Sequence, residues 1–231
     1  MAIGFRVFLK RMTPPWEIVE AFRSIPAPNV ADCLNRMCSL NSDIRLISSP
    51  LNDVMVGVAL TVKTRPGDNL MIHKALSMAE SHDIVIVSNG GDRNRALIGE
   101  IMASYALKKG IRGIVLDGPV RDIDALSKMT MPIYATGANP DGPFKEGPGE
   151  VNVPISCGGM IINPGDILLG NKDGVIVIPS QEAESILRAA NEYCLFDRKK
   201  LDATMNGKSD RSWIDKSLGA KNCQFIDDFY K

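Results

Sequence analysis

Two histidines in 231 residues leave no means of building a His-rich metal centre. The five cysteines, Cys33, Cys38, Cys157, Cys194 and Cys223, are scattered, odd in number and without paired zinc-type spacing. That pattern fits reduced thiols in a cytosol rather than a disulfide framework, and a cytoplasmic protein is expected. Any metal must then rest mainly on oxygen ligands, which points to Mg²⁺ or Mn²⁺. Net charge is also missing: 27 basic and 27 acidic residues cancel, so no global field draws in nucleic acid or an anionic membrane. No apolar run approaches the roughly 18 residues of a membrane span. The opening stretch, residues 1–10, is followed by no small-residue cleavage site and reads as mature sequence. There is no internal repeat and no low-complexity segment.

What is present suffices for one sizeable domain, since 45% of the residues are apolar. The expected domain covers residues 1–206. The tail, 207–231, carries Trp213, Phe225, Phe229 and Tyr230 with little periodicity. Aromatics placed there suggest docking on the domain or on a neighbouring subunit.

Short helices are expected at Trp16–Arg23 and Val30–Met37, separated by Pro26 and Pro28. Val54–Thr64 and Asp83–Ser88 read as strands. Between them Asp68 or Asn69 can cap a helix reaching about Glu80. A second helix runs from about Gly99-Glu100 to Lys109. Gly110 supplies its left-handed stop, Glu100 suits the positive end and Lys108 and Lys109 the negative end. Further strands are expected at Gly113–Leu116, Pro132–Ala135, Val151–Ser156, Asp166–Leu169 and Val175–Ile178. Thr136–Gly149 reads as a long loop, and a helix is expected from Ser180 to about Asn206. The mixture lacks a regular βαβ rhythm and its later half is rich in strands, so the fold expected from pattern is an α/β or α+β globule.

The chemistry concentrates in Leu116-Asp117-Gly118-Pro119-Val120-Arg121-Asp122-Ile123-Asp124-Ala125. An apolar strand turns at Gly118-Pro119 and presents an arginine beside an aspartate. A guanidinium binds a carboxylate through two parallel hydrogen bonds, and an adjacent carboxylate can hold a hard cation. The strand–loop–helix at Ile84–Lys109 places Gly90, Gly91 and Gly99 ahead of a helix N-terminus. The free N–H groups near Ile101 and Met102 there form an anion site. If the two strands are neighbours, their C-terminal ends bring both loops together. Taken alone, Arg121-Asp122 is equally a helix-start ion pair, and Glu100 a first-turn carboxylate. Asp117, Asp124, His73 and Cys157 read as structural or solvated residues.

Glu100, twenty intervening residues and then Arg121-Asp122 resembles the signature of the class II 4-hydroxy-4-methyl-2-oxoglutarate aldolase family, which overlaps in sequence with the regulator of ribonuclease activity A. Gly67-Asp68-Asn69-Leu70, Asp117–Asp122, Val151-Asn152-Val153-Pro154, Pro164-Gly165-Asp166 and Asp173-Gly174-Val175 resemble further family blocks in order. The likeness covers roughly Asn29 to Pro179. It implies an α/β swivelling ββα-type domain with mixed sheets and flanking helices, assembled as a homotrimer or a hexamer. It also implies a divalent metal, usually Mg²⁺, and cleavage of a small 2-oxo acid to pyruvate. Carried over, Asp122 would ligate the metal and Arg121 would bind the 2-oxo oxygen or carboxylate. Gly99 with the N–H groups of Ile101 and Met102 would hold the substrate carboxylate. Glu100, where the family often has Asp, would position water. A neighbouring subunit would lend an acid, with Asp197 the first candidate and Glu192 the second.

The resemblance thus implies an aldolase or oxaloacetate decarboxylase. The alternative is a non-catalytic regulator, a type that lacks the Asp after the Arg. A methyltransferase is disfavoured, because no glycine-rich strand–loop–helix followed by an acidic ribose-binding residue stands out.

Overall fold

The computed structural model describes residues 3–52 and 54–230. Met1 and Ala2, which open the stretch read as mature sequence, lie outside the described residues, as do Asp53 and Lys231. The strands are β1 (Phe5–Val7), β2 (Arg45–Leu46), β3 (Met55–Thr64), β4 (Asp83–Ser88), β5 (Gly113–Asp117), β6 (Ile133–Ala135), β7 (Gly149–Val151), β8 (Ile155–Cys157), β9 (Met160–Ile162), β10 (Ile167–Asn171) and β11 (Gly174–Ile178). The helices are α1 (Trp16–Ala21), α2 (Ala27–Cys33), α3 (Leu70–Met78), α4 (Glu100–Lys109), α5 (Ile123–Leu126), α6 (Ala183–Met205) and α7 (Trp213–Ala220).

One mixed sheet runs β1-β7-β3-β4-β5-β6-β2, with β10 also paired to β3 and β11 to β10. Its centre is parallel: β4 lies between β3 and β5, with Ser88 opposite Asp117. Strand β3 is long enough to take three partners, β4, β7 and β10. Every residue of it but Lys63 is buried, as a strand covered on both faces requires. Val85 and Val87 of β4 join α3 and α4 in one core cluster, whereas Ile84 and Ile86 join the β8–β9 side. Helices α1, α2 and α6 cover Val56, Val58, Ile167 and Ile178 in a third cluster. The α/β fold with mixed sheet and flanking helices is therefore the one expected.

Several local expectations need correction. Helix α2 spans Ala27–Cys33 rather than Val30–Met37, because Pro28 sits in its first turn, where a missing N–H costs nothing. Asn35 and Arg36 then turn left-handed and end it. The strand expected over Val151–Ser156 is broken: Asn152 adopts a positive φ of 56° and the chain restarts as β8 after Pro154. Helix α3 stops at Met78, short of Glu80. The tail holds α7, whose eight residues bury nothing. No helix among the described residues is long and apolar enough to cross a membrane.

Candidate active site

Parallel pairing of β4 and β5 brings the two expected loops to one edge of the sheet. Ile98 forms a bridge with Val120, and the Arg121 N–H donates to the Ile98 carbonyl (3.0 Å). The turn after β5 thus lies against the segment that enters α4. Asp122 takes left-handed φ and ψ of 60° and 42° just ahead of α5, and its Oδ2 accepts the Glu100 N–H at 3.0 Å. A non-glycine residue in that region is uncommon and tends to be held there by its surroundings.

Gly99 is what allows the approach. Its backbone is extended (φ −139°), so its conformation does not demand glycine. A Cβ there would instead drive into Asp122 Oδ2 and lie 3.0 Å from Arg121 Cγ. On the other side, a Cβ at Gly142 would stand 2.9 Å from Arg121 Nη1. Two small residues therefore bracket the arginine. Arg121 Nε and Asp122 Oδ2 are 3.8 Å apart, both side chains more than two-fifths exposed. A pair so placed adds little stability of its own.

These groups border a cavity of about 180 Å³ lined by Gly99, Ile101, Met102, Arg121 and Asp122 together with Asn69, His73, Leu97, Ile98, Pro143 and Lys145. At the head of α4, the Glu100 N–H goes to Asp122 and the Ala103 N–H to Gly99. The N–H groups of Ile101 and Met102 have no acceptor among the described residues. They are the unsatisfied donors of a helix start, a natural seat for a carboxylate.

Asn69, Lys145 and His73 were not singled out as site residues from sequence. Asn69 is almost fully buried; its amide nitrogen donates to the Leu97 carbonyl (2.9 Å) and reaches Met102 Sδ (3.2 Å). Its Oδ1 is buried with no hydrogen-bond partner among the described residues. Lys145 arrives on the loop after β6, and that loop is anchored by Asp68. The Asp68 carboxylate is fully buried and accepts N–H groups from Leu70 (2.9 Å), Glu146 (2.7 Å) and Gly147 (2.8 Å). Arg95 and Arg65 stack on Phe144 from within the same region, with Arg95 also donating to Gly142 O. Partial burial first, and the charge of Lys145 second, hold the His73 imidazole below its usual pKa. The GDNL block marked Asp68 and Asn69; no local signal marks Lys145.

The other expected residues lie elsewhere. Glu100 contributes its backbone N–H, but its side chain is exposed and does not line the cavity. Asp197 is on α6, where it accepts a hydrogen bond from Asn29 Nδ2 (3.3 Å), and Glu192 is exposed on the same helix. Neither lines this cavity in its own protomer. The Cys157 thiol is buried, and burial pushes its pKa up, which suits packing rather than reactivity.

No cluster of three or more His, Cys, Asp or Glu side chains capable of holding a metal occurs among the described residues. A hard cation held by one carboxylate needs no such cluster. Mg²⁺ keeps several waters and commonly takes only one or two carboxylates plus substrate oxygens. Asp122 fits that demand: Oδ2 is fixed by the Glu100 N–H, and Oδ1 has no hydrogen bond among the described residues. The side chain is 43% exposed beside the cavity.

Comparison with known proteins gives a consistent grouping. Residues 27–177 match the RraA-like family model, described as Aldolase/RraA. A protein of Halalkalibacterium halodurans named "Putative 4-hydroxy-4-methyl-2-oxoglutarate aldolase" is 36% identical over 203 residues, covering 87% of this chain and 96% of its own. The structure of "the RNA-processing inhibitor RraA from Thermus thermophilis" superposes with a TM-score of 0.61 at 29% identity, over 67% of this chain and 93% of its own. Streptomyces coelicolor RraAS2, described as an unusual member of the RNase ES inhibitor RraA family, superposes with a TM-score of 0.73 over 82% of this chain and 98% of its own. At 23% identity that last likeness speaks to the fold alone.

Proposed function

Since the chain belongs to the RraA-like, Aldolase/RraA family, we propose that it is a divalent-metal-dependent carbon–carbon lyase. It cleaves 4-hydroxy-2-oxo acids of the 4-hydroxy-4-methyl-2-oxoglutarate type to pyruvate, decarboxylates oxaloacetate, or does both. The observation that carries this reading is the convergence of Arg121, Asp122 and the free N–H groups of Ile101 and Met102 on one small cavity.

Each residue has a role in the proposal. The N–H groups of Ile101 and Met102 seat the substrate's C1 carboxylate. The Arg121 fork reaches the 2-oxo oxygen, where negative charge develops as the C3–C4 bond breaks and its electron pair passes to C3. Donors placed where charge develops are the larger part of such catalysis. Asp122 would hold Mg²⁺ or Mn²⁺, and a cation there would supply Lewis-acid polarisation of the 2-oxo group. Lys145 adds positive charge for a second carboxylate. Glu100 contributes through its backbone N–H, which holds Asp122; its exposed side chain would order water only outside the cavity lining. In a trimer or hexamer, Asp197 of a neighbouring copy, or failing it Glu192, takes the C4 hydroxyl proton as the aldol bond breaks and returns a proton to C3; in decarboxylation CO₂ leaves and only the proton to C3 is needed.

The experiment is pyruvate release from a panel of 4-hydroxy-2-oxo acids and oxaloacetate, with and without Mg²⁺. Metal-dependent pyruvate supports the reading. A second reading, a non-catalytic regulator, draws on the likeness to the RNA-processing inhibitor, and absence of pyruvate across the panel would favour it. Asp122 argues for the lyase, because the regulator type that the family resemblance describes lacks an Asp after the Arg.

A further inference from the structure

Residues 3–26 precede the stretch matched by the family model, which begins at residue 27. Within this arm, β1 is laid parallel on β7, with Phe5 opposite Gly149, Arg6 opposite Glu150 and Val7 opposite Val151. The arm is clamped there from both sides of the backbone. The Phe8 N–H donates to the Val151 carbonyl (3.1 Å), and Asn152 Nδ2 donates to the Phe8 carbonyl (2.8 Å). Glu150 makes the strongest tie. Its side chain is only 7% exposed, and Arg6 Nε donates to its Oε1 at 2.5 Å. Lys63 stands opposite Glu150 on β3 but forms no ion pair with it among the described residues. A buried carboxylate stripped of its cation is strongly destabilising, so Arg6 commits the arm to β7.

Phe5 carries the arm to the candidate site. Just before β7 the chain passes through Gly147, which is buried at a φ of +67°. A Cβ built there would lie 3.3 Å from Phe5 Cε2 and 3.5 Å from Leu70 Cδ2. Phe5 thus covers one side of Gly147, and the first residue of α3 covers the other. The N–H groups of Glu146 and Gly147 are two of those that bond the buried Asp68 carboxylate, and Lys145 directly precedes them. Lys145 lines the cavity, yet its side chain has no hydrogen bond or ion pair of its own among the described residues. Its place is therefore set by the backbone of 144–147.

We propose that the N-terminal arm is a positioning element of the site. Phe5, tied down by the Arg6–Glu150 pair, holds residues 145–147 against Asp68 and so sets where Lys145 stands. With Lys145 it sets the affinity for substrates that carry a second carboxylate. The hold follows from the contacts alone, whereas the consequence for affinity rests on the lyase reading above. Phe5 and Arg6 do not line the cavity, so they are positioning residues rather than catalytic ones.

The test uses the full chain with Phe5→Ala, Arg6→Ala or Arg6→Lys, and reads loop and kinetics separately. Hydrogen exchange by mass spectrometry follows the peptide over 144–148 without substrate. Its amides should exchange roughly tenfold faster in Phe5→Ala and Arg6→Ala, while those of β4 stay as in wild type, since the opening is local. Arg6→Lys, which keeps a cation beside Glu150, should restore the slow exchange. In the same proteins KM for oxaloacetate should rise about tenfold, the scale of one weakened hydrogen bond to a charged group, with kcat nearly unchanged. In a Lys145→Met background, Phe5→Ala should raise KM no further, because both changes act through one group. Phe5→Ala keeps the ion pair, so the test stands even if Arg6→Ala fails to fold. Wild-type exchange of the 144–148 peptide in Phe5→Ala would overturn the hold. Faster exchange with an unchanged KM, or a KM effect that adds to that of Lys145→Met, would overturn the consequence for affinity. A freed loop in proteins that all release no pyruvate would support the hold and count against the lyase reading.

Discussion

Asp122 Oδ2 accepts the N–H of Glu100 at 3.0 Å, so the carboxylate that follows the arginine also fixes the first turn of α4. One side chain therefore joins the turn after β5 to the helix whose next two N–H groups face the cavity. Gly99 stands between them, and only its lack of a side chain permits the contact.

Gly99→Ala should accordingly displace the Asp122 carboxylate while leaving the backbone relaxed. We expect a loss of about 10²-fold in kcat/KM, the scale associated with ångström-level misplacement of a catalytic group, with a Tm close to the parent. Steady-state kinetics and thermal melts on the same preparation check this. Unchanged kinetics would show that the Gly99–Asp122 approach is unimportant.

Arg121→Lys keeps the charge and loses the planar fork. A drop of about 10²–10³ in turnover is expected, as for removal of a preorganised electrostatic donor. Gly142→Ala, which crowds Arg121 Nη1 from the opposite wall, should give a smaller loss in the same direction. A lysine variant within a few-fold of wild type would contradict the role given to Arg121.

Asp68→Ala strips three backbone N–H groups of their buried acceptor. A buried donor left unsatisfied costs roughly 1–3 kcal/mol, and of the three only the Gly147 bond is fully buried, so a loss of about that size is expected in urea denaturation. The loop carrying Lys145 should become more open to proteolysis. A variant as stable as wild type would mean that the 144–147 loop is held by Phe144 and its arginines instead.

His73 offers a pH signature. With its folded pKa lowered, the unfolded chain binds this proton first as pH falls. The stability contribution is complete above the ordinary histidine value of about 6.5 and declines as pH drops through the folded pKa. The chain has only one other histidine, His82, stacked on Trp16 with ring centroids 3.9 Å apart. Proton NMR should show a titration below the ordinary value that His73→Gln removes. A His73 that titrates at or above 6.5 would contradict the cavity environment described.

Much of the site could be read from sequence because it is local. Gly99, Glu100, the lysine pair and Gly110 mark both ends of α4 within twelve residues, and the structure places the helix at those bounds. The apolar runs of β4 and β5 are equally self-contained. What escaped notice depends on distant contacts. Lys145 reaches the cavity only because Asp68, 77 positions earlier, anchors its loop. The break between β7 and β8 depends on Asn152 accepting a left-handed conformation, which its β-branched neighbours conceal. Helix α7 is short and buries nothing, so no core-facing stripe announces it.

The most direct test of the account is metal-dependent pyruvate formation by wild type and by Asp122→Asn. Asparagine keeps an oxygen for the Glu100 N–H and removes the charge a cation requires, so the fold and α4 should persist. The account predicts Mg²⁺-dependent pyruvate from a 4-hydroxy-2-oxo acid or oxaloacetate with wild type, abolished by EDTA, and none above background with the folded variant. Equal pyruvate formation by both proteins, or by wild type after metal removal, would contradict it.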